Sequence, residues 1–377
     1  MTGWKCSKEE VKSLKKPEIA IVGGGPAGLS AALSAVRQGA QVMLIDRDPV
    51  LGGQLVKQTH MFFGSKKQYA AIRGIDIPQK LLAALQEEGN GKFDPRVNTT
   101  VLGCYDDGVL LLDKEDRAEL IQPWKIIIAT GAAEKMLPFP GNDLPGVYGA
   151  GAVQTLMNVY GIKPGTRVLM IGAGNIGLIV SYQLLQAGVE VTAIIEGAPK
   201  IGGYLVHATK VRRAGIPILT SHTIKEAYGC DSVEGAVLCN LDEKWCAVPG
   251  TEQSLAVDVI CLAVGLTPQT ELLWQAGCEQ QYLPELGGYV PLRSEKMQTS
   301  LSHLFVAGDA ACIEEAGSAM VEGKIAGLFA AADLGYAENV EALNETFSRE
   351  LEELRSGPAG AKIRQGLSRL KGGAQVC

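Results

Sequence analysis

Two glycine loops, each followed by a single acid, carry most of the chemistry legible in this chain. The first reads GGGPAG, with Gly23, Gly25 and Gly28 at G-x-G-x-x-G spacing, and the second reads GAGNIG, with Gly172, Gly174 and Gly177. In such a loop the first glycine permits a tight turn. The second lets backbone approach a pyrophosphate, and the third lets a helix lie close to a strand. The helix N-terminus then faces the anion. Asp46 stands 23 residues after Gly23, where a carboxylate can accept both hydroxyls of an adenosine ribose. Glu196 stands near the matching place in the second copy. With an acid there and no arginine directly after it, a 2'-phosphate is disfavoured, so the second loop is expected to take NAD(H) rather than NADP(H).

The elements that must position these loops can be read around them. EIAIV before the first loop is an apolar, β-branched run, and LSAALSAVRQG after it is helical in character. Ala32 and Gly39 fall at helix-packing positions, and QVMLID closes a second strand at Asp46. RVLMIGAGNIGLIVSYQLLQAGVEVTAIIE repeats this grammar, with Gly188 ending its helix. One detail differs. Asp46 follows Gly39 by seven residues but Glu196 follows Gly188 by eight, so either the second strand bulges or its acid sits just past the strand end. KIIIATGA, with Ala129, Thr130 and Gly131, and VICLAVGLTP, with Gly265, each read as a short buried strand ending in a turn of small residues. SHLFVAGDAA follows, with Gly308 and then Asp309, whose carboxylate can accept sugar or ribityl hydroxyls. Taken alone, an Asp after a strand reads as a helix cap. The expected fold class is α/β, with two Rossmann-like dinucleotide-binding domains.

Composition bounds what else the chain can be. Its 377 residues suit two domains, with 46% hydrophobic and 20% charged residues, as in a globular protein. A net charge of -6 provides no basic field for nucleic acid or an anionic membrane. The polar, lysine-rich start lacks a signal-peptide core, and the apolar runs are too short to span a bilayer, so a cytoplasmic location is expected. Nine cysteines are scattered without a C-x-x-C pair and read mainly as small buried apolar residues, with no metal site expected.

In order, GGGPAG with Asp46, ATG at 129–131, GAGNIG with Glu196, GLTP at 265–268 and AGD at 307–309 resemble the motif set of the two-dinucleotide FAD/NAD(P) pyridine nucleotide-disulfide oxidoreductase superfamily. The resemblance implies an FAD domain of two outer segments, 17–148 and 267–337, with an NAD(H) domain, 149–266, inserted into it. An N-terminal extension, 1–16, and a C-terminal helix and tail, 338–377, flank them. It further implies cofactor contacts from Gly23, Gly25, Pro26, Ala27, Gly28, Asp46, Arg47, Gly53, Gln54, Val101, Ala129, Thr130, Gly131, Gly308 and Asp309 in the FAD domain. In the other domain it implies them from Gly172, Gly174, Asn175, Ile176, Gly177, Glu196 and Gly265. The redox disulfide in the superfamily's name is missing, since LGGQLVKQTHMFFGSKKQY after the first acid holds no cysteine. A thiol nucleophile is therefore not expected. The stretches at 137–158, 162–178 and 267–311 resemble in particular the alpha subunits of heteromeric amino-acid and amine dehydrogenases, including hydrogen cyanide synthase, opine oxidase and proline dehydrogenase components. Those subunits often add a cysteine-rich domain for an iron-sulfur cluster, and this chain is expected to hold no cluster of its own.

In such an enzyme hydride moves between the nicotinamide and the flavin, so no side chain need act as nucleophile. Gly52, Gly53 and Gln54 suit close passage by the flavin, or else form an ordinary loop. His60, Phe62 and Phe63 suit a pocket wall, His60 as a core or solvated histidine before a proton carrier. His207, His222 and His303 have weaker claims. The acidic stretch ENVEALNETFSRELEEL and the basic end after it read as a solvated terminal helix with a frayed end, or as a docking arm. The leading expectation is a subunit that exchanges electrons between NAD(H) and FAD and passes them to a second flavoprotein or iron-sulfur subunit, in a homo- or hetero-oligomer acting on a small-molecule substrate, an amino acid or related amine. The alternatives are a stand-alone NADH-dependent flavin reductase of a small acceptor or quinone, and a non-catalytic module holding a regulatory adenine nucleotide.

Overall fold

The computed structural model describes residues 14–62, 65–115, 117–336, 338–358 and 360–370. Phe63, Cys6, Cys377 and most of the N-terminal extension lie outside them. The chain divides into two compact units, one of Met1–Val56, Met61–Ala133 and Thr267–Cys377, the other of Lys57–His60 and Glu134–Leu266. None of the described helices is long and apolar enough to cross a membrane.

The first unit is built on the strand Ile19–Val22. It lies at the centre of a parallel sheet ordered Leu304–Val306, Lys125–Ile128, Ile19–Val22, Val42–Ile45 and Phe93–Arg96. All four residues of this strand are buried, as a sheet covered on both faces requires. Ile19 and Ile21 face a core shared with the helices, while Ala20 and Val22 face one shared with Cys104, Leu110 and Ile121 of a three-stranded antiparallel sheet. The helix Pro26–Gln38 ends on Gly39, which adopts φ 102° and donates its N–H to the carbonyls of Ala35 and Val36.

A second helix, Ala316–Ala332, lies against Pro26–Gln38 at unusually short range. A methyl group on Gly323 would stand 2.1 Å from the Ala27 carbonyl oxygen, and one on Gly327 2.2 Å from that of Ala31. The described part of the C-terminal segment, 338–358 and 360–370, packs onto this unit rather than standing free in solvent, and the expected frayed end after 370 lies outside the described residues. Val340 and Leu351 of the helix Val340–Arg355 enter the main core. Ile363, Leu367 and Leu370 cover Leu283, Leu286, Val290 and Cys312.

The second unit repeats the parallel plan, ordered Ile218–Thr220, Glu190–Glu196, Arg167–Ile171, Val259–Leu262 and Val147–Gly149. The stretch 134–148 falls here, not in the outer fold, because Val147–Gly149 pairs with Val259–Leu262. Between Val168 and Leu169 the register jumps, their partners being Val191 and Ala193, so Thr192 is an extra residue in the strand. Of the two ways to absorb the eight-residue spacing, the chain takes the bulge, and Glu196 is the last strand residue.

Alanine in place of glycine favours a helix interior by ~1 kcal/mol. At Gly327 the contact of 2.2 Å with backbone decides the sign, because overpacking costs about 1–3 kcal/mol and the carbonyl cannot swing away. Gly327→Ala is therefore expected to lower the urea midpoint; a raised midpoint contradicts the close packing.

Candidate functional site

In the first unit the glycine loop leaves the sheet at the carboxyl end of Ile19–Val22, beside Lys125–Ile128, where the strand order reverses. Such a reversal is where open α/β sheets form a crevice. Gly23, at φ 106°, would bring a methyl group within 2.3 Å of the Ala129 carbonyl oxygen, and Gly28 within 1.8 Å of that of Gly23. Both positions must be glycine for the fold to close. Gly25 is different. Its backbone is extended, at φ -75° and ψ -169°, and a methyl group there would find only the Gly53 Cα, 3.9 Å away. Folding does not demand glycine at this point, so the space it leaves lies open at a helix start that Pro26 begins and no side chain caps. Ala27 follows in the first turn.

The Asp46 carboxylate accepts N–H bonds from Gly24 at 2.6 Å and Asp48 at 2.8 Å. Burial pushes this carboxyl group up, against those two bonds. An ionised carboxylate has about four acceptor sites, so two remain for a diol. Arg47 beside it is exposed. Gly52 donates to the Gly24 carbonyl at 2.8 Å, and Gly53, at φ 51°, passes so close that a methyl group would meet the Gly25 Cα at 2.8 Å. This brings the exposed Gln54 to the same end of the sheet. Val101 is half-buried in the strand Thr100–Cys104, just after Thr99, whose N–H bonds to the Asp46 carbonyl at 3.0 Å. Thr130 Oγ1 donates to the Gln269 carbonyl at 2.8 Å, and Gly131, at φ 81°, accepts from Gln269 N–H at 3.0 Å.

The second unit repeats the glycine contacts and the two bonds to the acid. Methyl groups on Gly172 and Gly177 would stand 2.3 Å from the Ala263 oxygen and 2.0 Å from the Gly172 oxygen. Gly174, at φ -73° and ψ 179°, would meet nothing within 4 Å, and no side chain caps the helix Asn175–Gln186 that it starts. Glu196 accepts from Ala173 at 2.8 Å and Ala198 at 3.0 Å, the counterparts of Gly24 and Asp48. Asn175 Oδ1 accepts the Tyr204 N–H at 2.8 Å, and Ile176 is exposed. Gly265 takes φ 118° and its carbonyl accepts from Lys135 N–H at 2.9 Å.

Around Gly308 the first unit holds a buried ion network that sequence reasoning missed. Gly308 N–H donates to Glu322 Oε2 at 3.0 Å, and Glu322 Oε1 accepts from Arg293 at 3.1 Å and Arg355 at 2.6 Å. Arg355 also grips Glu314 at 2.5 Å. No local sequence signal marks these residues as partners, because they come from separate elements. Asp309 does not cap the helix Ala316–Ala332; its Oδ1 accepts the Glu314 N–H at 3.2 Å. Burial first, then the charges of Glu322, Glu314 and Glu315, push this carboxyl up to about 7.

Cys312 donates to Glu314 Oε1 at 2.9 Å within this network, so a cysteine does stand three residues from Asp309. Burial and the two glutamates hold its thiol well above the ordinary range, as a thiol and not a thiolate. Cys312, Glu314 and Glu322 present ligand atoms within 4.8 Å of one another, but both carboxylates are already engaged by arginine. Cys104, Cys239, Cys261 and Cys278 are buried as expected, whereas Cys230 and Cys246 are exposed. His60 is pulled down to about 4 by burial, with His207 and Lys210 adding to it, and is neutral at pH 7. Phe62 packs against the main core of the first unit.

The family profile described as "Pyridine nucleotide-disulphide oxidoreductase" matches residues 17–326. Hydrogen cyanide synthase subunit HcnB of Pseudomonas aeruginosa is 30% identical over 331 residues, 82% of this chain and 69% of that protein. One of the subunits of opine oxidase from Agrobacterium tumefaciens is 28% identical, across 84% of this chain and 66% of its own length, so the chain spans about two thirds of these relatives. Among solved structures, thioredoxin reductase of T. acidophilum aligns with TM-score 0.68 and 23% identity over 85% of this chain and 99% of that one. L-proline dehydrogenase of P. horikoshii aligns with TM-score 0.67 and 23% identity, over 89% and 60%. At these identities the two structures support the fold alone.

Two outcomes follow from the network. Arg355→Met leaves Glu314 and Glu322 short of a partner, and breaking a buried pair in this way costs about 3–5 kcal/mol; a loss under ~1 kcal/mol on chemical denaturation contradicts it. Between about pH 4 and 7 the folded chain keeps a proton on Asp309 that the unfolded chain has lost, so this group makes stability fall as pH rises through that window. The difference in thermal midpoint between Asp309→Asn and the unaltered chain should therefore widen in favour of the variant from pH 5 to 8, and a difference that does not move with pH is the opposing result.

Proposed function

The chain belongs to the pyridine nucleotide-disulphide oxidoreductase family and is an FAD/NAD-dependent oxidoreductase, and from that premise we propose that its first unit holds FAD and its second holds NAD(H). We propose further that it serves as the electron-transfer subunit of a complex that oxidises an amino acid or a related amine. The observation that carries the reading is the pair of middle glycines, Gly25 and Gly174, which the fold does not need and whose absent side chains leave room at uncapped helix starts. That room fits a diphosphate, which the first-turn amides and the helix dipole both favour.

The residues at hand take separate tasks. Asp46 and Glu196 keep acceptor sites for a ribose diol, and the Glu196 carboxylate, followed by Gly197 in place of a cation, repels a 2'-phosphate, which supports NAD(H) over NADP(H). Asp309 offers its carboxyl to sugar hydroxyls beside Gly308. Thr130 and Gly131 hold the turn after the strand Lys125–Ile128 in place. When bound, the flavin exchanges a hydride with the nicotinamide, and the chain's contribution is to bind, orient and exclude water. The buried, protonated Cys312 supports a reaction without a thiol nucleophile. The subunit role rests on relatives that are themselves named as subunits, of opine oxidase, hydrogen cyanide synthase and sarcosine oxidase.

Anaerobic NADH is expected to bleach the yellow protein in stopped flow. Gly174→Asp should abolish that bleaching with flavin content unchanged, because its carboxylate would occupy the open space without straining the backbone. Full bleaching in the variant refutes the second site. Co-purification with a second flavoprotein or iron-sulfur protein tests the subunit role.

A further inference from the structure

The two halves of the chain repeat one another beyond their glycine loops. IDRDPVLGGQLV at 45–56 aligns without a gap on IEGAPKIGGYLV at 195–206. Ile45, Pro49, Gly52, Gly53, Leu55 and Val56 recur as Ile195, Pro199, Gly202, Gly203, Leu205 and Val206, and Asp46 recurs as Glu196. Gln54 is replaced by Tyr204. A glycine pair six residues after an acid reads as an ordinary turn when seen once; seen twice in register, it reads as a functional part of the repeat.

In both copies the loop donates one N–H to the residue before the middle glycine, with the donor shifted by one position: Gly52 N–H donates to the Gly24 carbonyl at 2.8 Å, and Gly203 N–H, one residue past the counterpart of Gly52, donates to the Ala173 carbonyl at 2.9 Å. A methyl group on Gly53 would strike the Gly25 Cα at 2.8 Å, and one on Gly203 would strike the Gly174 carbonyl carbon and the Asn175 nitrogen at 2.9 Å. In each unit the loop thus lies directly against the middle glycine of the fingerprint. The Tyr204 N–H is fixed by Asn175 Oδ1 at 2.8 Å, at the start of the helix Leu205–Arg213, and the residue is 43% exposed. Its ring centroid lies 6.3 Å from that of His207.

We propose that Gly203 and Tyr204 belong to the dinucleotide site of the second unit, in the place that Gly53 and Gln54 hold in the first. Gly203 lets the loop approach the anion-binding turn, and Tyr204 walls the space beside Gly174, its ring lying against the bound dinucleotide. This rests on the reading that the second unit takes NAD(H). Glycine is needed at 203 because any side chain would push the loop off Gly174. The aromatic ring at 204 offers a flat, apolar face with a hydroxyl at its rim, suited to a ligand that is part ring and part sugar phosphate.

The test is calorimetric titration of the flavin-loaded protein with NAD+, which binds without reducing the flavin. Tyr204→Ala is expected to weaken NAD+ binding at least fivefold, with flavin content and thermal midpoint unchanged, and Tyr204→Phe is expected to restore most of it. Gly203→Val is expected to weaken it more. If Tyr204→Ala and Gly203→Val bind NAD+ as the parent does while Gly174→Asp does not, this proposal is overturned and the site itself stands. Should Gly174→Asp bind NAD+ normally, the reading of the second unit fails with it.

Discussion

The whole arrangement depends on how closely a helix can begin against the end of a strand. Gly28 and Gly177 sit where a single methyl group would stand 1.8 Å and 2.0 Å from the carbonyls of Gly23 and Gly172. With any larger residue the helix would have to move away. Because it does not, the first-turn amides point into the crevice at the carboxyl end of the sheet. The neighbouring strands are tied to the same turn, through Gly23 N–H to Ile45 and Gly172 N–H to Ile195, both at 2.8 Å. The acids at the ends of those strands then fall into hydrogen-bond reach of the loops. One steric contact therefore sets the anion site, the ribose acid and the spacing between them.

How much of this could be read from the chain varies with the range of the interaction. The α/β class and the two dinucleotide-binding units were legible because glycine spacing and β-branched runs are local signals, and the strand-turn-helix they specify closes within about thirty residues. The Glu196 spacing exposed a conflict of side-chain parity, and the sequence could state both solutions but not choose between them. The bulge at Thr192 is decided by pairing with Arg167–Ile171. The edge strand Val147–Gly149 was harder still, since three residues carry little pattern and only their partner, Val259–Leu262, assigns them to a sheet. The repeat at 195–206 was available in the letters and was missed, because a glycine pair draws no notice until its acid is used as the origin for alignment.

The C-terminal helix shows the opposite limit. Its strongly acidic surface suggests a solvated rod, yet its last residue, Arg355, has a side chain only 12% exposed and joins Glu314 and Glu322. Glu322 in turn accepts the Gly308 N–H, so the end of this helix bears on the loop that carries Asp309. Glu350 on the same helix is buried and meets Gln68 at 2.9 Å and Lys324 at 3.3 Å. Charges that look like solubilising residues in the sequence are thus internal contacts, and only the fold reveals which is which. A buried network of this kind is poor evidence of extra stability by itself, but it admits few alternative arrangements of the groups in it.

The two copies of the glycine-pair loop both lie against the middle glycine of their fingerprint and differ in how far they are covered. In the first unit the loop runs into the short helical turn Gly53–Lys57, with Leu55 wholly buried in the main core. In the second, the equivalent Leu205 is 73% exposed and Val206 46% exposed, and the chain passes directly into the helix Leu205–Arg213. A loop anchored by a core leucine opens only at the cost of desolvated apolar surface, about 1.5–3 kcal/mol for one such side chain. A loop whose leucine is already in water opens without that cost. The two copies of the twelve-residue repeat thus differ in what opening each loop would cost, and the burial of one leucine sets that difference.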